Sequence, residues 1–247
     1  MAAHESKSER LPARRDRFAT THWSVVVSAG GSRSAEVERA LAVLCENYWF
    51  PLYAFARRAG YSAEDAEDLT QEFFARLLVQ RFFTKADREK GKFRTFLLAA
   101  LKHFLADQRD RAHAQKRGGS RTVISLDGLD AETRYGLEPV SSLTPEKMFE
   151  KQWALSLLEH VLSRLHAEMA AEGKSALFEA LKDTLTGVRS IAYAAIGTQL
   201  GMTEGAVKVA VHRLRRRYRD LLREQITETV TSPDEIGDEI RYLLSCL

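Results

Sequence analysis

Residues 191–224, IAYAAIGTQLGMTEGAVKVAVHRLRRRYRDLLRE, decide how the rest of the chain is read. Ile191, Ala195, Ile196 and Leu200 recur at helical spacing, and Gly201 follows as a residue that accepts the left-handed conformation ending many helices. Thr203 then offers a side-chain oxygen to cap a second helix, and Glu204 puts negative charge in its first turn, at the positive end of the helix dipole. In that second helix Val207, Val211, Leu214, Tyr218 and Leu221 form one apolar stripe in steps of four and three. Lys208, His212, Arg213, Arg215, Arg216, Arg217 and Arg219 fall largely outside it. Two short helices about a glycine turn, the second apolar beneath and basic outside, predict a helix-turn-helix able to enter a major groove. An amphipathic surface helix with merely solvated arginines is the alternative. The coincidence of turn and basic face favours DNA.

The whole chain sets looser bounds. Its 247 residues allow one or two domains and ample core. Hydrophobic residues make up 45%, charged residues 29%, and only five prolines occur, which is the profile of a soluble, globular, helical protein. The net charge is only +3, so any nucleic-acid binding must rest on how charge is segregated. The two cysteines, Cys45 and Cys246, sit in apolar helical patterns. They suggest neither a disulfide framework nor a metal cluster, and fit a reducing compartment. MAAHESKSERLPARRDR at the amino terminus lacks the apolar centre of a signal peptide, and no apolar run approaches the ~20 residues of a spanning helix. A cytoplasmic protein without membrane insertion is expected, with no metal or other cofactor.

An all-α architecture follows: two helical domains joined by a flexible linker, the second containing the helix-turn-helix. Residues 1–35 read as an extension, charged to residue 17, with an apolar centre in THWSVVVSAGGS (21–32). A long helix is predicted from Ala35 to about Ala59 on Leu41, Leu44, Tyr48, Leu52, Phe55 and Ala59, with Pro51 expected to kink or split it. Ser62, at capping-box distance from Asp65, opens a second helix, and a third runs from Phe93 to Lys116. These make a domain over 36–117. Residues 118–145 lose periodicity, are rich in Gly, Ser, Asp and Pro, and read as the linker. Thr144 and Pro145 then start a second domain over 146–225, with helices near 146–171, 174–185, 190–200 and 204–225. A helical extension, 226–247, begins its last helix at Ser232 and carries Ile236, Ile240, Leu243 and Leu244.

Two charge blocks of opposite sign occupy the first domain. SAEDAEDLTQEFFARLL (62–78) has Glu64, Asp65, Glu67, Asp68 and Glu72 before its first basic residue, Arg76. Leu69, Phe73 and Leu77 share a core face, while Glu64, Asp68 and Glu72 share another, where like charges cost a few tenths of a kcal/mol per pair. That cost makes sense if the face meets a basic partner, although a solvated acidic face near a helix start is an equal reading. The block KADREKGKFRTFLLAALKHFLADQRDRAHAQKR (85–117) instead holds ten Lys/Arg against four Asp/Glu, enough to favour phosphate. Phe93, Phe96 and Phe104 are interleaved, an arrangement suited to unpaired bases. Phe96 and Phe104 are nevertheless expected in the core, leaving base contact to the loop before Phe93.

With these elements in order, the chain resembles a bacterial RNA polymerase sigma factor of the two-domain, extracytoplasmic-function type. EDAEDLTQEFFARLL resembles the family's polymerase-binding helix, KFRTFLLAALKHFLADQRDR its helix that melts and reads the minus-ten element, and YAAIGTQLGMTEGAVKVAVHRLRRRYRDLL its helix-turn-helix for the minus-thirty-five element. The resemblance implies promoter recognition by a dissociable, non-enzymatic subunit with no catalytic residues. Core RNA polymerase would meet Glu64, Asp65, Glu67, Asp68 and Glu72. Promoter DNA would meet Lys90, Lys92, Arg94, Lys102, His103, Arg109, Arg111, Thr203, Lys208, His212, Arg213 and Arg216. An anti-sigma factor or a protein kinase is a further possible partner. Three departures stand out: Val209-Ala210 where a small polar residue and arginine are frequent, Gly197 where alanine is usual, and Lys102-His103 where arginine-asparagine is common.

Thr70 lies beside the acidic face and is a candidate for phosphorylation, which would add roughly −1.5 to −2 charge. Its hydroxyl could instead bond back to a carbonyl one turn earlier. The chief alternative function is an autonomous helix-turn-helix regulator with an amino-terminal sensing or interaction domain. It gives no reason for the two charge blocks. A metal-dependent nuclease built on Asp65, Glu67, Asp68 and Glu72 is disfavoured, because adjacent positions on one helix point in different directions and make a poor cage. His4, His22, His160 and His166 are scattered and read as surface or packing histidines.

Overall fold

The computed structural model describes residues 35–79, 92–114, 128–136, 143–186, 193–227, 229–230 and 232–247. The segment 21–32, Lys90 and the loop before Lys92 lie outside them. Among the described residues there is no strand, and the chain is all-α.

Helix α1, Ala35–Arg58, runs unbroken through Pro51, so the expected split does not occur. Residues 50–56 are buried without interruption, and packing on all sides outweighs the ~3 kcal/mol that an interior proline costs a helix. Helix α2, Ala63–Val79, starts where Ser62 accepts the Asp65 amide at 3.0 Å and donates its hydroxyl to the Asp65 carboxylate at 2.7 Å. Helix α3 is Phe93–Ala114. Its inner residues Phe93, Leu97, Leu101 and Phe104 are buried, with Phe104 against Phe73 of α2 and Phe93 edge-on to Tyr48 of α1. Phe96, expected in the core, is half-buried against it.

The expected linker contains a helix, α4, Gly128–Gly136. Its periodicity escaped notice because the element is short and leans on distant partners. Ala131 packs with Phe50, Tyr53, Ala56 and Ala66, and Glu132 accepts from Arg57 Nε at 2.9 Å and Nη2 at 2.7 Å and from the Tyr53 hydroxyl.

Helix α5, Pro145–Ala171, begins as expected, with Thr144 capping the Lys147 amide and Pro145 in the first turn. Helices α6, Ser175–Leu181, and α7, Asp183–Thr186, precede α8, Tyr193–Leu200, and α9, Glu204–Thr227. A 3-10 turn, Pro233–Glu235, leads into α10, Ile236–Ser245.

The most extensive packing in the molecule is between α1 and α5. Phe149, Trp153, Leu157, Val161 and Leu165 of α5 belong to one buried cluster with Tyr48, Leu52 and Phe55 of α1. Phe73 and Leu77 of α2, Leu97 and Leu101 of α3, Val207, Val211, Leu214 and Leu221 of α9, and Leu243 of α10 also belong to it. Two helical units on a free tether were expected. The structure instead joins them through a shared core, because α5 carries apolar residues on more than one face and buries them against both halves.

Candidate nucleic-acid interface

Gly201 ends α8 at φ +65°, and the Met202 amide donates to the Gly197 carbonyl at 2.8 Å, which closes the helix end in the way glycine favours. Thr203 accepts the Ala206 amide at 3.2 Å and so caps α9. At Gly197 a Cβ would lie 2.6 Å from the Met202 carbonyl oxygen, so this glycine sets how closely the two helices meet. Ile191 lies outside the described residues, and Ala195 faces solvent rather than the core. The inner side of α8 is Ile196 and Gly197, with Leu200 half-buried. An alanine run offers no periodicity by which to rank its positions.

The basic residues of α9 divide by partner. Arg217 forks onto Glu168 of α5, both contacts 2.7 Å, and reaches Glu224 at 3.2 Å. Its hydrogen bonds hold the Glu168 carboxyl below the usual range, against a smaller opposing effect of burial. Arg215 donates twice to the Thr184 carbonyl, at 3.2 and 2.8 Å. These two arginines fasten the helix to its scaffold. Lys208 pairs with Glu204 one turn earlier at 2.7 Å on the surface. His212, Arg213 and Arg216 are exposed, and among the described residues none of them is ion-paired. Val209, 51% exposed, shares that outer surface.

On α2, Glu64, Asp65 and Glu72 are exposed while Glu67 and Asp68 are half-buried. Glu67 accepts from Gln71 at 3.2 Å, and Glu72 pairs with Arg76 at 2.8 Å. Thr70 is 0% exposed and donates its hydroxyl to the Ala66 carbonyl at 2.7 Å. This corrects the phosphorylation reading, since no kinase reaches a fully buried hydroxyl in this fold. Thr70 lies four residues after Ala66, three before Phe73 and seven before Leu77, so it shares their inward face.

On α3, His103, Arg109 and Arg111 are exposed. Arg109 donates to the Tyr61 hydroxyl at 2.8 Å and lies 5.1 Å from that ring. Lys102 pairs with Glu146 at 2.7 Å across the two halves. Arg94 is different. It is 4% exposed, it donates from Nε to Glu150 at 3.0 Å and from Nη1 to Glu239, and its guanidinium lies 4.2 Å from the Trp153 ring. Lys92 also pairs with Glu239. Arg94 sits at steps of three and seven from Leu97 and Leu101, on the inward side of α3, so in this conformation it cannot touch a phosphate. Among the described residues no group of His, Cys, Asp and Glu is placed to hold a metal ion.

Residues 46–114, from within α1 to the end of α3, match the family Sigma-70 region 2. The extracytoplasmic-function (ECF) RNA polymerase sigma factor SigE of Mycolicibacterium smegmatis is 26% identical over 181 residues, 73% of this chain. The likeness on both counts is to the ECF sigma factors. The chain spans 61% of the length of that relative, and no solved structure is a significant match.

The region that matches Sigma-70 region 2 contains the acidic helix α2 and the basic helix α3. Glu64, Asp68 and Glu72 lie on one side, Lys102, His103, Arg109 and Arg111 on another helix, and Arg213 and Arg216 on α9 well along the chain. Sequence reading missed Glu239, which engages Lys92 and Arg94, Glu150, which engages Arg94, Glu146, which engages Lys102, and Glu168, which engages Arg217. One signal was available: Glu239 falls between Ile236 and Leu243, inside the apolar stripe of α10, where an acid survives only with a buried partner. For the others no local signal exists, because their partners lie far away in sequence.

Proposed function

We propose that this chain directs RNA polymerase to promoters as a dissociable specificity subunit and performs no chemistry of its own. The carrying observation is the Sigma-70 region 2 match over residues 46–114, with the ECF-type sigma factor likeness extending beyond it. The solvent-facing carboxylates of α2, centred on Glu64 and Asp68, would meet a basic surface of the core enzyme. Lys102, His103, Arg109 and Arg111 of α3 would line the path of the separated minus-ten strand, with Lys90 and Lys92 before them. Thr203, Lys208, His212, Arg213 and Arg216 would face the major groove upstream, as the second helix of a helix-turn-helix does. The domain limits of 36–117 and 146–225 are part of this reading. No helix among the described residues is long and apolar enough to cross a membrane.

Run-off transcription with purified core polymerase tests it. The chain should select one class of start sites and co-purify with core. Replacing both Glu64 and Asp68 with lysine should weaken core binding by about tenfold or more, since like charges facing one another cost several kcal/mol. Absence of both selective initiation and core binding would defeat the proposal, and tight sequence-specific duplex binding by the chain alone would favour an autonomous regulator instead.

A further inference from the structure

Helix α10 lies beyond the helix-turn-helix and packs against α5 and α9, yet its most buried polar group serves the first half of the molecule. Glu239 is 1% exposed and takes both Lys92 and Arg94 from the start of α3. Arg94 is further enclosed by Glu150, the Trp153 ring at 4.2 Å and the Tyr242 ring at 5.2 Å. Lys92 lies 5.6 Å from the same tyrosine ring. Leu243 anchors the helix in the common core, with Ile236 and Ile240 half-buried beside it. A second cross-connection, Lys102 to Glu146, points the same way. Three cations of the basic block therefore face carboxylates of the carboxy-terminal half.

A carboxylate meeting a guanidinium and an ammonium at once offers the charge and acceptor geometry of a phosphate oxygen pair. We propose that α10 is an intramolecular latch: Glu239 occupies Lys92 and Arg94 in place of nucleic-acid phosphate and holds the two halves closed, and undocking α10 releases these cations for DNA. The inference rests on the promoter-binding reading for the identity of the competing ligand, whereas the closure itself does not. The occupant of the latch is the chain's own last helix, so release needs only a ligand that binds the open form better than the closed one. Core polymerase or DNA engaging α3 would meet that condition.

The test uses the full chain as wild type, Glu239→Gln and Leu243→Ala, the last loosening α10 without altering any charge. Hydrogen–deuterium exchange reads the amides of residues 236–245, and a fluorescent single-stranded oligonucleotide of random sequence reads DNA binding across a salt titration. Both variants should exchange those amides at least tenfold faster and bind the oligonucleotide more tightly. The log–log salt slope should steepen by roughly 0.7 for each cation freed, so up to about 1.4 for two. Adding Arg94→Ala to Glu239→Gln should remove part of that gain. Unchanged exchange at 236–245 in both variants overturns the latch. Faster exchange with unchanged affinity and slope overturns the competition with phosphate. If no version binds oligonucleotide or core polymerase while exchange rises as expected, the promoter reading fails and the closure by α10 stands.

Discussion

Gly197 and Arg217 show how single residues set this molecule's geometry. A Cβ at position 197 would sit 2.6 Å from the Met202 carbonyl, so Gly197→Ala must push the turn away from α8. Overpacking costs about 1–3 kcal/mol, and the helix propensity gained returns up to about 1 kcal/mol. A net loss near 1 kcal/mol and a fall in Tm of about 2–4 °C are expected in thermal unfolding. The arginines of α9 should separate in the same way they separate in the structure. Arg217→Ala breaks a bidentate contact with Glu168 that is partly open to water, and should cost ~1 kcal/mol of stability. Arg213→Ala and Arg216→Ala should leave the urea midpoint unchanged and weaken promoter use. A base contact would relax preference at one position by about 1–3 kcal/mol, and a phosphate contact would weaken all sequences alike. Equal promoter activity of both variants and wild type would take this surface out of the interface.

At the scale of elements, neither α4 nor the docking of α10 was expected, and both helices are held by a carboxylate on a distant arginine. Helix α4 has nine residues, too few to stand alone in water. Its attachment is Ala131 in a small apolar cluster and Glu132 between Arg57 and Tyr53. Glu132→Ala should therefore free residues 128–136 without unfolding the rest. Rapid amide exchange confined to that segment is the expected result, and unchanged protection there would mean that apolar contact alone holds it. The helix α3 teaches a related lesson. Its basic residues look equivalent along the sequence, yet Arg94 faces inward with Leu97 and Leu101 while Lys102, His103, Arg109 and Arg111 face out.

For the whole molecule, the ion pairs between distant helices set the response to acid. Glu132, Glu146 and Glu168 are held below the usual carboxylate range, chiefly by hydrogen bonds from Arg57, Lys102 and Arg217. For Glu239, burial pushes upward, and the contacts from Arg94 and Lys92 prevail to give a net lowering. A carboxyl lowered on folding contributes stability above its unfolded value, near 4.5 for glutamate, and that stability is lost as pH falls through the folded value. Stability from these groups should be level above about pH 5 and decline below it. Urea midpoints measured from pH 7 to 3 should show this decline, smaller in Glu239→Gln than in wild type. Equal slopes for the two would mean that Glu239 does not contribute to it.

The sequence by itself determined what short-range physics controls. Apolar periodicity, the Ser62, Thr144 and Thr203 caps and the positive φ of Gly201 mark most of the helix limits, and the alternating charge blocks mark the region of α2 and α3 that matches a sigma-factor family. Pairing was decided only by the tertiary structure. Nothing near Arg94 in the chain says that it meets Glu239, nothing near Glu132 says that it meets Arg57, and the burial of Thr70 follows from which side of α2 the other helices cover. An isolated cation is equally ready for a phosphate or a carboxylate, because both present the same charge. Which one it meets depends on distances between residues that folding alone brings together.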